Sequence, residues 1–112
     1  GELKAEGSSV AEGIGQGRVT GNLDGAPIDK QYRVSDVEGI AQVEALLRDE
    51  GLCLGLSSGI NVAGAVKLAA DLGEGHVIVT ILCDTGFRYL STLYDARWLR
   101  SKDLPVFAWL DR

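Results

Sequence analysis

The chain has 112 residues, 46% hydrophobic and 24% charged, which suits one domain with a modest core and is small for a complete catalyst that must also enclose a cofactor. A formal charge of −5 without any Lys/Arg cluster argues against a nucleic-acid or anionic-membrane surface. No apolar run approaches the ~20 residues of a membrane span and no signal-peptide pattern is present, so the expected location is the cytoplasm and the expected partners are small molecules or protein.

Residues 1–30 form a glycine-rich loop segment, with Gly1, Gly7, Gly13, Gly15, Gly17, Gly21 and Gly25 ahead of Pro27 and no sustained period of a helix or strand. A short helical turn near residues 9–12 is the one local element expected there. Gly13-Ile14-Gly15-Gln16-Gly17 has G-x-G-x-G spacing and no preceding strand, so it does not make a dinucleotide fingerprint. Residues 31–112 read as an α/β domain.

Within that domain, residues 31–35 suit a short strand, and Ser35-Asp36-Val37-Glu38 forms a capping box that opens a helix. Val37, Ile40, Val43 and Leu47 recur at helical spacing, and Gly51 ends the helix. Residues 52–56 are the next strand. The helix expected from Gly59 to about Leu72 is apolar or small almost all round, which predicts burial on more than one side. Gly73 and Gly75 stop it, and His76-Val77-Ile78-Val79-Thr80-Ile81-Leu82-Cys83 has the composition of a strand covered on both faces. Asp84-Thr85-Gly86 turns the chain, a helical stretch runs from about Asp95 to Lys102, and Pro105 follows. The alternation predicts an open, mostly parallel, three-layer sheet of about three strands with right-handed crossovers. The tail Val106-Phe107-Ala108-Trp109-Leu110 is apolar, and with the sheet edge it predicts self-association.

In such sheets ligands bind beyond the carboxyl ends of the strands, where Ser57-Ser58-Gly59 and Asp84-Thr85-Gly86 would share a crevice. A helix opening at Ser57 or Ser58 offers free N–H groups and the positive end of its dipole to an anion or a polar heterocycle; either serine could equally be a plain N-cap. Gly55-Leu56-Ser57-Ser58-Gly59 matches the G-x-S-x-G nucleophile elbow, but the single histidine, His76, is expected at the far end of the sheet and no histidine follows Asp84. One histidine and two cysteines without ligand spacing make no metal site. Cys53 and Cys83 lie in strand-like runs and read as buried, reduced thiols. Asp84 is the carboxylate best placed for chemistry, although an Asp in a turn after a strand is also ordinary turn chemistry. The chain has no methionine, so a piece of a longer polypeptide is expected, with removal of an initiator methionine as the other explanation.

Four blocks taken together carry a resemblance: Glu12-Gly13-Ile14-Gly15-Gln16-Gly17, Ala26-Pro27-Ile28-Asp29, the run Glu50-Gly51-Leu52-Cys53-Leu54-Gly55-Leu56-Ser57-Ser58-Gly59-Ile60-Asn61-Val62-Ala63, and the run from Ile78 through Asp84-Thr85-Gly86 to Thr92. In this order and spacing the chain resembles the carboxyl-terminal third of the cysteine synthase (O-acetylserine sulfhydrylase) family, fold-type-II pyridoxal-phosphate enzymes that also include cystathionine β-synthase. The resemblance implies pyridoxal phosphate as the cofactor of the full-length parent. Ser57 would then bond the pyridine nitrogen, Gly13 and Gly15 would line the substrate side, and Asp84 and Thr85 would lie near the ring edge, with Arg88, Tyr89, Ser91 and Thr92 structural. It further implies a homo-oligomer, a small amino-acid substrate, and the rest of the parent chain as partner. Cys83 stands where many members have proline. The family's Schiff-base lysine and phosphate loop have no counterpart, since Lys4, Lys30, Lys67 and Lys102 match none of those positions. The chain by itself is therefore expected to contain no catalytic residue, to bind no cofactor and to make no cysteine, and a free-standing non-catalytic binding or regulatory module is the alternative.

Overall fold

A computed structural model describes Gly25 and residues 27–110. The Ser35 capping box forms as its spacing predicts: the Ser35 hydroxyl accepts from the Glu38 N–H at 3.2 Å while the Glu38 carboxylate accepts from the Ser35 N–H at 3.2 Å. It opens α1 (Asp36–Glu50), and Gly51 closes the helix with φ 70°, a left-handed conformation that glycine adopts without strain.

The second helix, α2 (Leu56–Leu72), starts ahead of the expected Gly59. Its N-cap is Gly55, with no side-chain cap, so neither Ser57 nor Ser58 caps it. Leu56 belongs to this helix rather than to a strand, and its burial in the core draws the first turn inward. The two helices cross through glycine: a Cβ added at Gly59 would lie 2.2 Å from the Gly39 carbonyl oxygen and 2.7 Å from Val43 Cγ2. One at Gly39 would meet Ile60 Cγ1 at 2.8 Å and Leu56 Cδ1 at 2.9 Å. Backbone therefore lies on backbone at the crossing, which seats Ile40, Val43 and Leu56 in one core.

The rest of that core comes from the carboxyl-terminal part of the chain. Thr85 caps a single 3-10 turn, Gly86–Tyr89, and the Asp95 carboxylate accepts from Arg97 N at 2.8 Å and Trp98 N at 3.3 Å to open α3 (Ala96–Ser101). Leu93, Leu99 and Phe107 complete the core, with Tyr94 edge-on to Phe107 at 5.7 Å between ring centroids. Phe107 is fully buried and anchors the apolar tail to its own chain, while Ala108 and Trp109 stay exposed.

The segments expected as strands are extended or bridged but make no ladder among the described residues. One isolated antiparallel bridge joins Leu54 and Thr85, through Gly55 N to Asp84 O at 3.0 Å and Gly86 N to Cys53 O at 2.9 Å. A strand is held by its neighbours, and residues 76–83 have no neighbouring strand among the described residues: Val77 is 93% and Val79 84% exposed. The same lack of cover leaves Val66, Ala69, Ala70 and Leu72 of α2 exposed, against the expectation of burial on several sides. Cys83 is exposed and Cys53 half-buried, which corrects the reading of both as buried thiols. Gly13, Gly15 and the short turn expected near residues 9–12 lie outside the described residues.

Candidate functional site

Ser57 and Ser58 are consecutive residues of the first turn of α2 and meet different surroundings. Ser58 is fully buried, and its hydroxyl accepts from the Cys83 N–H at 2.9 Å. One turn on, Asn61 donates from Nδ2 to the Ile81 carbonyl at 2.9 Å and reaches Cys83 Sγ at 3.5 Å. These two side chains tie α2 to the end of the extended run, making with side chains the bonds that a neighbouring strand would make with backbone. Ser57 is half-buried and its hydroxyl has no partner among the described residues.

The turn at 84–86 is held against the start of α2 from the other side. Asp84 accepts from the Tyr89 hydroxyl at 2.5 Å and from Arg88 Nη1 at 3.3 Å. Tyr89 in turn lies on Gly55, where a Cβ would come within 2.6 Å of its ring, so only glycine fits at the N-cap of α2. A Cβ at Gly86 would meet Cys53 Sγ at 2.6 Å and the Tyr94 ring at 2.8 Å. Tyr94 donates to the Leu54 carbonyl at 2.6 Å. Burial, and then the Cys53 thiol beside it, push the Tyr94 phenol well above its ordinary value, so it stays protonated and keeps that bond.

The structure thus brings Ser57, Asp84 and Thr85 to one end of α2. Their chemical states differ. Without a side-chain cap the first N–H groups of α2 point outward with the positive end of the dipole, and Ser57 adds an uncommitted donor to them. The Asp84 carboxylate is already engaged by a phenol and a guanidinium, and Thr85 accepts from Phe87 N at 3.4 Å. Sequence reasoning named Ser58 as a candidate cap but missed its bond to Cys83, the role of Asn61 and the contact of Tyr89 with Gly55. Asn61 was the visible signal, a long polar side chain on an otherwise apolar or small helix face.

The remaining chemistry-bearing residues are occupied elsewhere. Lys67 Nζ binds the Arg33 carbonyl at 2.6 Å and Glu38 Oε2 at 2.9 Å, and Lys30 lies 3.8 Å from Asp71, which also accepts from the Tyr32 hydroxyl. His76 Nδ1 is 3.3 Å from the Gly73 carbonyl. Among the described residues no group of His, Cys, Asp or Glu could hold a metal ion, and no helix is long and apolar enough to cross a membrane.

Comparison with known proteins matches residues 2–84 to a family described as pyridoxal-phosphate dependent enzyme. Cysteine synthase 1 of Neurospora crassa is 44% identical over 104 residues, which cover 91% of this chain and 28% of that protein. Cysteine synthase of Dictyostelium discoideum is 44% identical over 98 residues, 88% of this chain and 26% of that one. Cysteine synthase A of Salmonella typhi is 40% identical over 105 residues, 93% of this chain and 32% of that one. A solved structure of an O-ureido-L-serine-bound mutant of O-ureido-L-serine synthase aligns with a TM-score of 0.52 at 38% identity, covering 62% of this chain and 24% of that one. The chain therefore spans between 26% and 32% of the length of these curated relatives.

Proposed function

This chain belongs to the pyridoxal-phosphate dependent enzyme family, and we propose that it is the carboxyl-terminal part of a cysteine synthase that replaces the acetoxy group of O-acetylserine with sulfide. The observation that carries the proposal is the free hydroxyl of Ser57 at the uncapped start of α2. That donor fits the nitrogen of a neutral pyridine ring: a hydroxyl can donate to it, but cannot hold it protonated as a carboxylate would. When bound, pyridoxal phosphate supplies the electron sink for β-replacement.

In this reading Ser57 orients the ring from its nitrogen edge, and the dipole of α2 adds a fixed positive potential beside it. Asp84 and Thr85 border the ring, with Asp84 acting through Tyr89 and Arg88 to hold the turn in place. Gly13 and Gly15 line the substrate side. The extended runs 52–54 and 76–83 become strands of a mostly parallel sheet that the rest of the enzyme completes. The complete protein works in the cytoplasm as a homo-oligomer.

The lysine amine through which the family would hold the cofactor covalently has no counterpart here, because none of the chain's lysines has the family's context. The chain alone is therefore inactive. The test incubates the 112-residue chain with pyridoxal phosphate, reduces with borohydride and maps the peptides, alongside a cysteine assay with O-acetylserine and sulfide. The expected result is no stoichiometrically labelled lysine and no turnover, with turnover appearing once the unmatched part of the Neurospora crassa relative is co-expressed. A single labelled lysine that supports turnover by the chain alone overturns the proposal.

A further inference from the structure

Gly55, the N-cap of α2, is buried and has φ −82° and ψ 172°, an extended conformation open to any residue, so its requirement for glycine is steric alone. The obstacle is Tyr89. A Cβ at Gly55 would come 2.6 Å from its ring Cε2 and 3.2 Å from Cδ2, where carbon atoms rest at about 3.5–4.0 Å. The ring is pinned at both ends: its hydroxyl donates to Asp84 Oδ2 at 2.5 Å, and the Tyr89 carbonyl accepts from Thr92 N at 3.1 Å and Tyr94 N at 3.2 Å. Asp84 closes the circuit, because its own carbonyl accepts from Gly55 N at 3.0 Å. The residue on which α2 starts is thus held by its amide and by its α-carbon against the 84–89 turn, and Ser57 follows in the first turn of that helix. Since the Ser57 hydroxyl has no partner among the described residues, its aim is inherited from where the start of α2 stands.

We propose that Tyr89 is a positioning residue of the cofactor site: by backing the α-carbon of Gly55 it fixes the first turn of α2, and so aims the Ser57 hydroxyl at the ring nitrogen. The inference rests on the reading of Ser57 as the donor to that nitrogen, and it gives Tyr89 a task beyond filling space. A methyl at Gly55 must open the contact with the ring by about 1 Å. With the ring held by Asp84 and by the amides of Thr92 and Tyr94, the start of the helix is the part that gives. A displacement of about 1 Å is large for an oriented group, enough to cost about a hundredfold in rate. Both members of the contact belong to this chain, so the aim of Ser57 is set before the rest of the enzyme is added.

The experiment reads the pyridine nitrogen itself, by nitrogen NMR of isotope-labelled pyridoxal phosphate bound to a full-length polypeptide that contains this chain. Ser57→Ala removes the donor and sets the reference shift. Gly55→Ala should move the resonance most of the way to that reference and lower kcat about as far as Ser57→Ala does. Tyr89→Val lacks both clashing ring atoms, so it should displace the resonance alone yet bring Gly55→Ala back toward the wild-type position when the two are combined. A tyrosine that only fills space predicts losses that add. A Gly55→Ala resonance that stays at the wild-type position, or a double variant displaced further than Gly55→Ala, overturns the proposal. Tyr89→Phe keeps the ring and releases its anchor on Asp84; it decides where Gly55→Ala loads no cofactor, and it should shift the resonance toward the reference, an unmoved one refuting the proposal. A cofactor-free arm separates the aim from the reading on which it rests: in the 112-residue chain the Ser57 amide resonance should move in Tyr89→Val. If that amide responds while Ser57→Ala leaves the pyridine resonance in place, the Ser57 reading has failed and the aim falls with it. If Ser57→Ala moves the pyridine resonance and the Ser57 amide ignores Tyr89→Val, the reading stands and the role of Tyr89 alone is refuted.

Discussion

Replacing Gly59 by alanine should destabilise the chain although it improves helix propensity. The new methyl would stand 2.2 Å from the Gly39 carbonyl oxygen and 2.7 Å from Val43 Cγ2. A side chain could swing away, but the carbonyl belongs to α1 and can move only with the whole helix, so the cost sits at the upper end of overpacking, about 3 kcal/mol. Glycine to alanine in a helix returns about 1 kcal/mol, leaving a net loss of about 2 kcal/mol. At roughly 4–8 °C per kcal/mol for a domain of this size, the melting temperature should fall by about 8–16 °C. Gly64 supplies the control in the same helix, because a Cβ there meets only Val34 Cγ2 at 3.9 Å, an ordinary contact. Gly64→Ala should therefore gain about 1 kcal/mol and raise the midpoint by about 4–8 °C. Thermal and urea melts followed by far-ultraviolet dichroism measure both. If Gly59→Ala melts at or above the wild type, the glycine crossing does not set the approach of α1 and α2 and the reasoning fails.

Ser58→Ala should cost about 1 kcal/mol in urea melts and speed amide exchange at Cys83, because it removes the acceptor that holds that N–H. Asp84→Ala and Tyr89→Phe should each cost about 1 kcal/mol or more and show coupling in a double-mutant cycle, since both remove the hydrogen bond between the Tyr89 hydroxyl and the Asp84 carboxylate; additive losses would mean that Asp84 acts on something other than Tyr89. The Lys67 ammonium, and then the Ser35 N–H, hold the Glu38 carboxyl below its ordinary value of 4.5. A depressed carboxylate stabilises the fold above that ordinary value and loses its contribution as pH falls through its folded value, so Lys67→Met should raise the Glu38 midpoint in an NMR titration and flatten the acid limb of stability. In a full-length polypeptide that contains this chain, Ser57→Ala should leave stability within about 0.5 kcal/mol because Gly55, not Ser57, is the N-cap. Ser57→Asp should keep the fold, change the cofactor absorbance and lower β-replacement by orders of magnitude, and an Asp variant with normal spectrum and turnover would return Ser57 to a purely structural role.

What the sequence made legible was chemistry acting over a few residues. The bounds of α1 follow from Ser35, Glu38 and Gly51, and the start of α3 follows from Asp95, because each signal is completed within one turn. The start of α2 was misplaced because Ser57-Ser58-Gly59 has the composition of a cap, while its actual cap depends on Tyr89, a residue distant in sequence that leaves room only for Gly55. Gly59 lies inside the helix rather than at its start, and its smallness serves the crossing with α1. The strand-like runs were legible as extended segments, but a ladder needs a neighbouring chain to complete it, and β-branching alone cannot supply one.

The division of labour between the two serines was the least legible feature, yet it follows from helix geometry once the start of α2 is known. With 3.6 residues per turn, neighbouring side chains diverge by about 100°. If Ser58 points at the backbone of Cys83, Ser57 must point elsewhere, and Asn61, three residues beyond Ser58, falls on the same face as Ser58 and finds the same extended run. The face that bears Ser58 and Asn61 is consumed in holding α2 to residues 81–83. Ser57 keeps its hydroxyl because its neighbour performs the structural task, and that surplus donor, rather than the Ser-Ser-Gly motif as a whole, is what the family resemblance had assigned to a ring nitrogen.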